Sequence, residues 1–83
     1  MKFRVKIEVA LKPGHSDPEG ETVARLLQEL GYSVGAVNVS KVYNIPLEAH
    51  TSKEARDKAE EMSKRLLANP TKDNYTITVE EQE

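Results

Sequence analysis

Phe3-Arg4-Val5-Lys6-Ile7-Glu8-Val9-Ala10-Leu11-Lys12 is the stretch that decides the architecture. Successive side chains of an extended chain point to opposite faces. Phe3, Val5, Ile7, Val9 and Leu11 therefore share one face, and Arg4, Lys6, Glu8 and Lys12 share the other. This alternation describes a half-buried strand. Near the other end of the chain Tyr75, Ile77 and Val79 alternate with Thr76, Thr78 and Glu80 in the same way, before a short acidic tail.

Between these strands the period changes. In His15-Ser16-Asp17-Pro18-Glu19, Asp17 is placed to cap free backbone N–H groups, Pro18 suits the first helical position, and Glu19 and Glu21 oppose the positive end of the helix dipole. Val23, Leu26, Leu27 and Leu30 form the stripe expected to be buried, and Gly31 ends the helix. Val34 to Ser40 and Lys41 to Glu48 read as two consecutive strands, carrying Val37 and Val39 on one and Tyr43, Ile45 and Leu47 on the other. Pro46 points to an edge or a bulge, and the turn signal near Ser40 is weak. Thr51-Ser52-Lys53-Glu54 matches a capping box and opens a second helix. Its stripe is Ala55, Ala59, Met62 and Leu66, with Glu54 to Lys58, Glu60 to Lys64 and Glu61 to Arg65 as i to i+4 pairs on the wet side. Asn69-Pro70 ends it.

The order strand, helix, strand, strand, helix, strand predicts an α+β domain over residues 1–83: a ferredoxin-like βαββαβ two-layer sandwich, its antiparallel sheet covered on one face by both helices. The other face and the outer strand edges are left for another chain. At 83 residues the core is small, which favours help from oligomerisation. Twelve basic and fourteen acidic residues leave a formal charge of -2, which offers no field to attract nucleic acid or an anionic membrane. No apolar run approaches the roughly 20 residues that span a bilayer, and the start of the chain has no signal-peptide core, so a cytoplasmic protein is expected. The absence of cysteine excludes disulfides, thiolate metal sites and thiol nucleophiles.

Catalytic constellations are not found, and no cofactor or metal is expected. His15 and His50 stand in different loops, without the spacing of zinc sites, and read as surface histidines. Ser16 and Asp17 beside His15 are explained by capping, because catalytic triads are assembled from separated segments. Lys12-Pro13-Gly14-His15 lacks the glycine pattern of a phosphate loop and reads as a turn. Glu54, Glu60 and Glu61 lie among lysines and arginine as an ion-paired surface. RNA-recognition modules share this topology but stack bases on aromatic residues, whereas Tyr43 and Tyr75 fall in phase with the apolar faces. Copper-chaperone relatives of the topology need paired cysteines, and acyl-phosphate hydrolases need an arginine in the first loop, where residues 12–17 have none.

Read end to end, the chain resembles the PurS family. The resemblance runs through Val9-Ala10-Leu11-Lys12 and Asp17-Pro18-Glu19-Gly20, then Val23, Leu27, Gly31-Tyr32, Val37-Asn38-Val39 and Lys41. It continues in Met62, Leu66-Leu67-Ala68-Asn69-Pro70 and Tyr75. It implies a small non-catalytic subunit of phosphoribosylformylglycinamidine (FGAM) synthase, acting in the ATP- and glutamine-dependent conversion of formylglycinamide ribonucleotide (FGAR) to its amidine during purine biosynthesis. The implied partners are the synthetase subunit PurL and the glutaminase subunit PurQ, which such a subunit bridges for ammonia transfer, together with further copies of itself as a dimer or tetramer. Two departures stand out: Ser40, where the family usually has glycine before the lysine, and Thr71-Lys72-Asp73-Asn74, where the family is usually apolar and then acidic.

The candidate partner-contact residues are Lys12, Asp17 and Gly20 around the first helix start, Lys41 on the middle strands, and Asn69, Pro70 and Tyr75 beyond the second helix. Each also has a structural reading: Asp17 and Pro70 as helix punctuation, Gly20 as helix packing, Tyr75 as core, Lys41 as an exposed lysine. The competing function is an ACT-like module that binds a small molecule at a strand–helix junction between protomers, and RNA binding is a third.

Overall fold

Lys2–Leu11 forms β1, the central strand of a three-stranded antiparallel sheet. In the computed structural model, which describes residues 1–82, β2 (Lys41–Glu48) flanks β1 on one side and β3 (Asp73–Gln82) on the other. Val5 pairs with Ile45 and Val79, and Ile7 with Tyr43 and Ile77, so apolar side chains of all three strands meet on one face. Phe3, Val5 and Ile7 are at most 1% exposed, while Arg4, Lys6 and Glu8 line the open face. Pro46, which has no N–H to donate, sits on an edge strand where that omission is tolerated.

Helix α1 spans Pro18–Glu29 and helix α2 spans Ser52–Met62. The Asp17 carboxylate accepts from the Gly20 N–H at 2.9 Å, and Thr51 Oγ1 accepts from the Glu54 N–H at 3.1 Å. Glu54 Oε2 in turn accepts from the His50 N–H at 3.2 Å, one residue before the position that a capping box assigns to it. Ala55 and Ala59, both 0% exposed, set α2 down on β1 and β3, where side chains this small allow close approach.

After Met62 the helix widens into a π turn, Ser63–Leu67, in which the Ala68 N–H donates to the Ser63 carbonyl at 2.9 Å. Ser63, fully buried, donates its hydroxyl back to the Ala59 carbonyl at 2.9 Å. The wider turn shifts the phase of everything beyond it. Leu67 packs on the core and Leu66, expected there from a straight 3.6-residue period, is 83% exposed. Glu54–Lys58 forms at 3.2 Å. The expected Glu60–Lys64 and Glu61–Arg65 pairs do not form among the described residues, since Lys64 and Arg65 lie in the π turn, and Glu60 instead accepts from Tyr75.

The sandwich expected from the sequence is changed in one respect. Residues 34–40 do not pair as a strand, and α1 does not lie on the sheet; only α2 covers it. The cause is local. A tight hairpin at Ser40 would need residues at positive φ, and among the described residues only Gly14 and Gly31 have it. The chain therefore passes from Val39 through Ser40 into β2 without a turn, and α1 with Val34–Ser40 projects as an arm. Along this arm Gly20 meets the Val37 carbonyl, Gln28 Nε2 donates to the Val34 carbonyl at 3.2 Å, and the Val39 N–H donates to Asp17 Oδ2 at 2.8 Å. The molecule measures 50 × 30 × 14 Å with a radius of gyration of 16.3 Å. A compact domain of this length would have about 12 Å.

Candidate functional site

Five of the seven candidate contact residues, Lys12, Lys41, Asn69, Pro70 and Tyr75, lie at or beside one end of the sheet, where β1 leaves it and β2 and β3 begin; Asp17 and Gly20 lie at the start of α1, against the arm. Val9 is in register with both Lys41 and Tyr75, and Leu11 with Asp73. Lys12 follows β1 directly. Its backbone N–H donates to the Lys72 carbonyl at 2.7 Å and its ammonium to the Pro70 carbonyl at 2.9 Å. The loop after the second helix is thus tied to the loop before the first.

Asn69 and Pro70 belong to a turn that braces itself. The Asn69 N–H donates to Asp73 Oδ2 at 2.9 Å, the Thr71 N–H donates to Asn69 Oδ1 at 2.9 Å, and the Asn69 carbonyl accepts from the Asp73 N–H at 2.8 Å. Asp73 and Asn74 complete this turn and begin β3. Tyr75 is half-buried against the core, and its hydroxyl donates to Glu60 Oε2 at 2.7 Å. That hydrogen bond, joined by partial burial and the Glu60 charge, holds the phenol above its ordinary pKa. Tyr75 therefore joins α2 to β3, with an apolar body in the core and a polar tip at its rim.

Asp17 and Gly20 form a separate unit. The two carboxylate oxygens of Asp17 accept from the N–H groups of Val39 and Gly20, which keep its carboxyl below the usual carboxylate range. A Cβ on Gly20 would overlap the Val37 carbonyl oxygen. The Asp-Pro-x-Gly motif thus fixes how Val37–Val39 runs along the start of α1. Lys41 is exposed at the joint between arm and sheet, beside Ser40, whose hydroxyl donates to Glu8 Oε2 at 2.7 Å. Between the sheet end and the arm lies an open cleft lined by Glu8, Leu11, Lys12, His15, Asp17 and Ser40.

His15 and His50 are exposed. Among the described residues no group of three or more His, Cys, Asp or Glu side chains could hold a metal ion, and no helix is long and apolar enough to cross a membrane. The surface offers contact area instead. Leu26, Leu30 and Tyr32 on the arm are 46%, 73% and 61% exposed, and Leu66 on the π turn is more exposed still. Sequence reasoning assigned the α1 stripe and Leu66 to the core. The 3.6-residue period identifies an apolar face but not the chain that covers it.

The fold and the site define a class: a small α+β sheet domain that carries an arm with exposed apolar side chains. The profile of the PurS family, "Phosphoribosylformylglycinamidine (FGAM) synthase", matches residues 4–81. The phosphoribosylformylglycinamidine synthase subunit PurS of Methanocaldococcus jannaschii is 37% identical over 82 residues, covering 98% of this chain and 99% of that one. The solved PurS of Thermus thermophilus superimposes with a TM-score of 0.90 at 33% identity, with all of both chains covered. A chain of the PurLQS structure from Thermotoga maritima gives a TM-score of 0.88 at 27% identity, covering 96% of this chain and 99% of that one. The chain belongs to the PurS family, the small subunit of FGAM synthase in purine biosynthesis.

Proposed function

We propose that residues 1–83, as one PurS domain, act in the cytoplasm as a non-catalytic bridging subunit. The glutaminase PurQ releases ammonia, the synthetase PurL consumes it with ATP to convert FGAR to FGAM, and this chain holds the two together so that ammonia is not lost between them. The observation that carries the reading is full-length likeness to a chain of the Thermotoga maritima PurLQS structure, at a TM-score of 0.88. The surface agrees with it: exposed leucines and a tyrosine project from the arm and the π turn, as in proteins that bury such patches against partners. Lys12, Asn69 and Pro70 form a braced corner that suits one partner contact, and the arm held by Asp17 and Gly20 suits another.

Self-association belongs to the same reading. An extended chain with a radius of gyration of 16.3 Å and an uncovered apolar helix face completes its core only against another copy. An ACT-like sensor is not favoured, since the relatives matched over the full length are PurS subunits. The test is assembly: mixed with the matching PurL and PurQ under assay conditions, the protein elutes with both. Elution of the three proteins as separate species would overturn the reading.

A further inference from the structure

The face of the sheet away from α2 carries charge in an uneven pattern. Strand β1 sets Lys2, Arg4 and Lys6 there in one exposed row, with side chains about 7 Å apart along the strand. Glu48 is in register with Lys2 and Glu80 with Arg4, but among the described residues none of the three cations forms an ion pair. Lys6 lies between Asn44 and Thr78, which bring no charge. Glu8, the next residue of the row, is held by the Ser40 hydroxyl at 2.7 Å. A shallow depression lined by Arg4, Lys6, Asn44, Thr78 and Glu80 marks the centre of the face. The long cationic side chains thus stand as a ridge above short neutral neighbours, on a chain whose formal charge is -2. Like charges in one row repel, and that repulsion is relieved where opposite charge meets it.

We propose that this open face docks a protein surface bearing a line of carboxylates, on a subunit other than a copy of this chain. The inference rests on the bridging reading and gives one of its contacts a place. The neighbours of the row decide among possible occupants. A nucleic acid or an anionic membrane brings a continuous run of phosphates, which Glu8, Glu48 and Glu80 would repel. The residues that could stack bases, Tyr43 and Tyr75, pack on the core at the other face. A second copy laid face to face along the same line would set ammonium and guanidinium groups against their own kind. A different folded protein can set carboxylates over Arg4 and Lys6 and neutral or cationic groups over Glu48 and Glu80. Complementarity of that kind governs partner choice and the rate of encounter. The face also carries no part of the apolar stripe of α1, so self-association through that stripe does not use it.

The test is the variant Arg4→Glu/Lys6→Glu, with Lys53→Glu/Lys64→Glu as a control that reverses equal charge at exposed positions on α2 and the π turn. For each, light scattering gives the size of the free protein, thermal unfolding its stability, and titration its affinity for the matching PurL and PurQ. The sheet variant is expected to keep the parent's size and fold and to bind PurL or PurQ at least about tenfold more weakly, while the control binds as the parent does. Parent binding should weaken as salt is raised, and less steeply in Arg4→Gln/Lys6→Gln. That neutral variant decides the matter if the reversal prevents folding. Parent-like affinity for both partners with an unchanged salt dependence, or an equal loss in the control, would overturn the docking face while leaving bridging intact. A parent protein that binds neither partner would overturn both.

Discussion

The Asp17 carboxylate accepts a hydrogen bond at 2.8 Å from the backbone N–H of Val39, 22 residues further along the chain, while capping α1 through Gly20 with its other oxygen. One side chain therefore sets both the start of the helix and the course of the segment that returns beside it. Asp17→Asn keeps only one acceptor oxygen and cannot serve both donors. The Val39 amide is expected to exchange hydrogen faster in this variant, with a lower melting temperature. Because the two amides lower the Asp17 pKa in the folded state, its contribution is complete above the ordinary carboxylate range and is lost as pH falls through the depressed value. The melting temperature of Asp17→Asn should accordingly converge on the parent's in acid.

Gly20→Ala opposes two effects. Alanine favours a helix interior over glycine by about 1 kcal/mol, yet its methyl would overlap the Val37 carbonyl oxygen. The neighbour is backbone held by Asp17, so it cannot yield cheaply, and overpacking of this kind costs about 1–3 kcal/mol. A net loss of stability in denaturant titration is the expected outcome; a gain would mean that the arm is free to move off α1.

The π turn makes opposite claims for adjacent leucines. Leu67 packs on the core, so Leu67→Ala should cost about 2 kcal/mol or more. Leu66 is 83% exposed, and Leu66→Ala should stay within about 0.5 kcal/mol. Unfolding titrations of the two variants decide it, since an uninterrupted α-helix would reverse the order. If Leu66 also contacts a partner subunit, its variant loses affinity at unchanged stability.

Tyr75 offers a second pH test. Its hydroxyl donates to Glu60, and its pKa is raised chiefly by that hydrogen bond. A raised folded-state pKa contributes stability that is present below about 10 and lost as pH rises through the folded value. Unfolding followed from neutral to alkaline pH should show this loss in the parent and not in Tyr75→Phe.

The sequence made the strands legible because period-two alternation is dense in Phe3–Leu11 and Tyr75–Val79, and both helix starts because Asp17 and Thr51 cap where a cap is needed. Val34–Ser40 was read as a strand from Val37 and Val39, but a strand also needs a neighbour, and the nearest edge lies on the strand this segment continues. The π turn left no signal: Leu67 and Ala68 take the place of Leu66 at the core through one extra residue in the turn, which a 3.6-residue period does not register. Of the candidate contacts, Lys12, Asn69 and Pro70 come together at one corner, and Asp17 and Gly20 act on the arm. Tyr75 serves the core, and Lys41 stands exposed at the joint.

The most direct test of the bridging role is FGAM formation by the matching PurL and PurQ, with glutamine or with ammonia as nitrogen source, in the presence and absence of this protein. Omission should abolish glutamine-dependent activity and spare ammonia-dependent activity. Equal glutamine-dependent rates with and without the protein would contradict a coupling subunit.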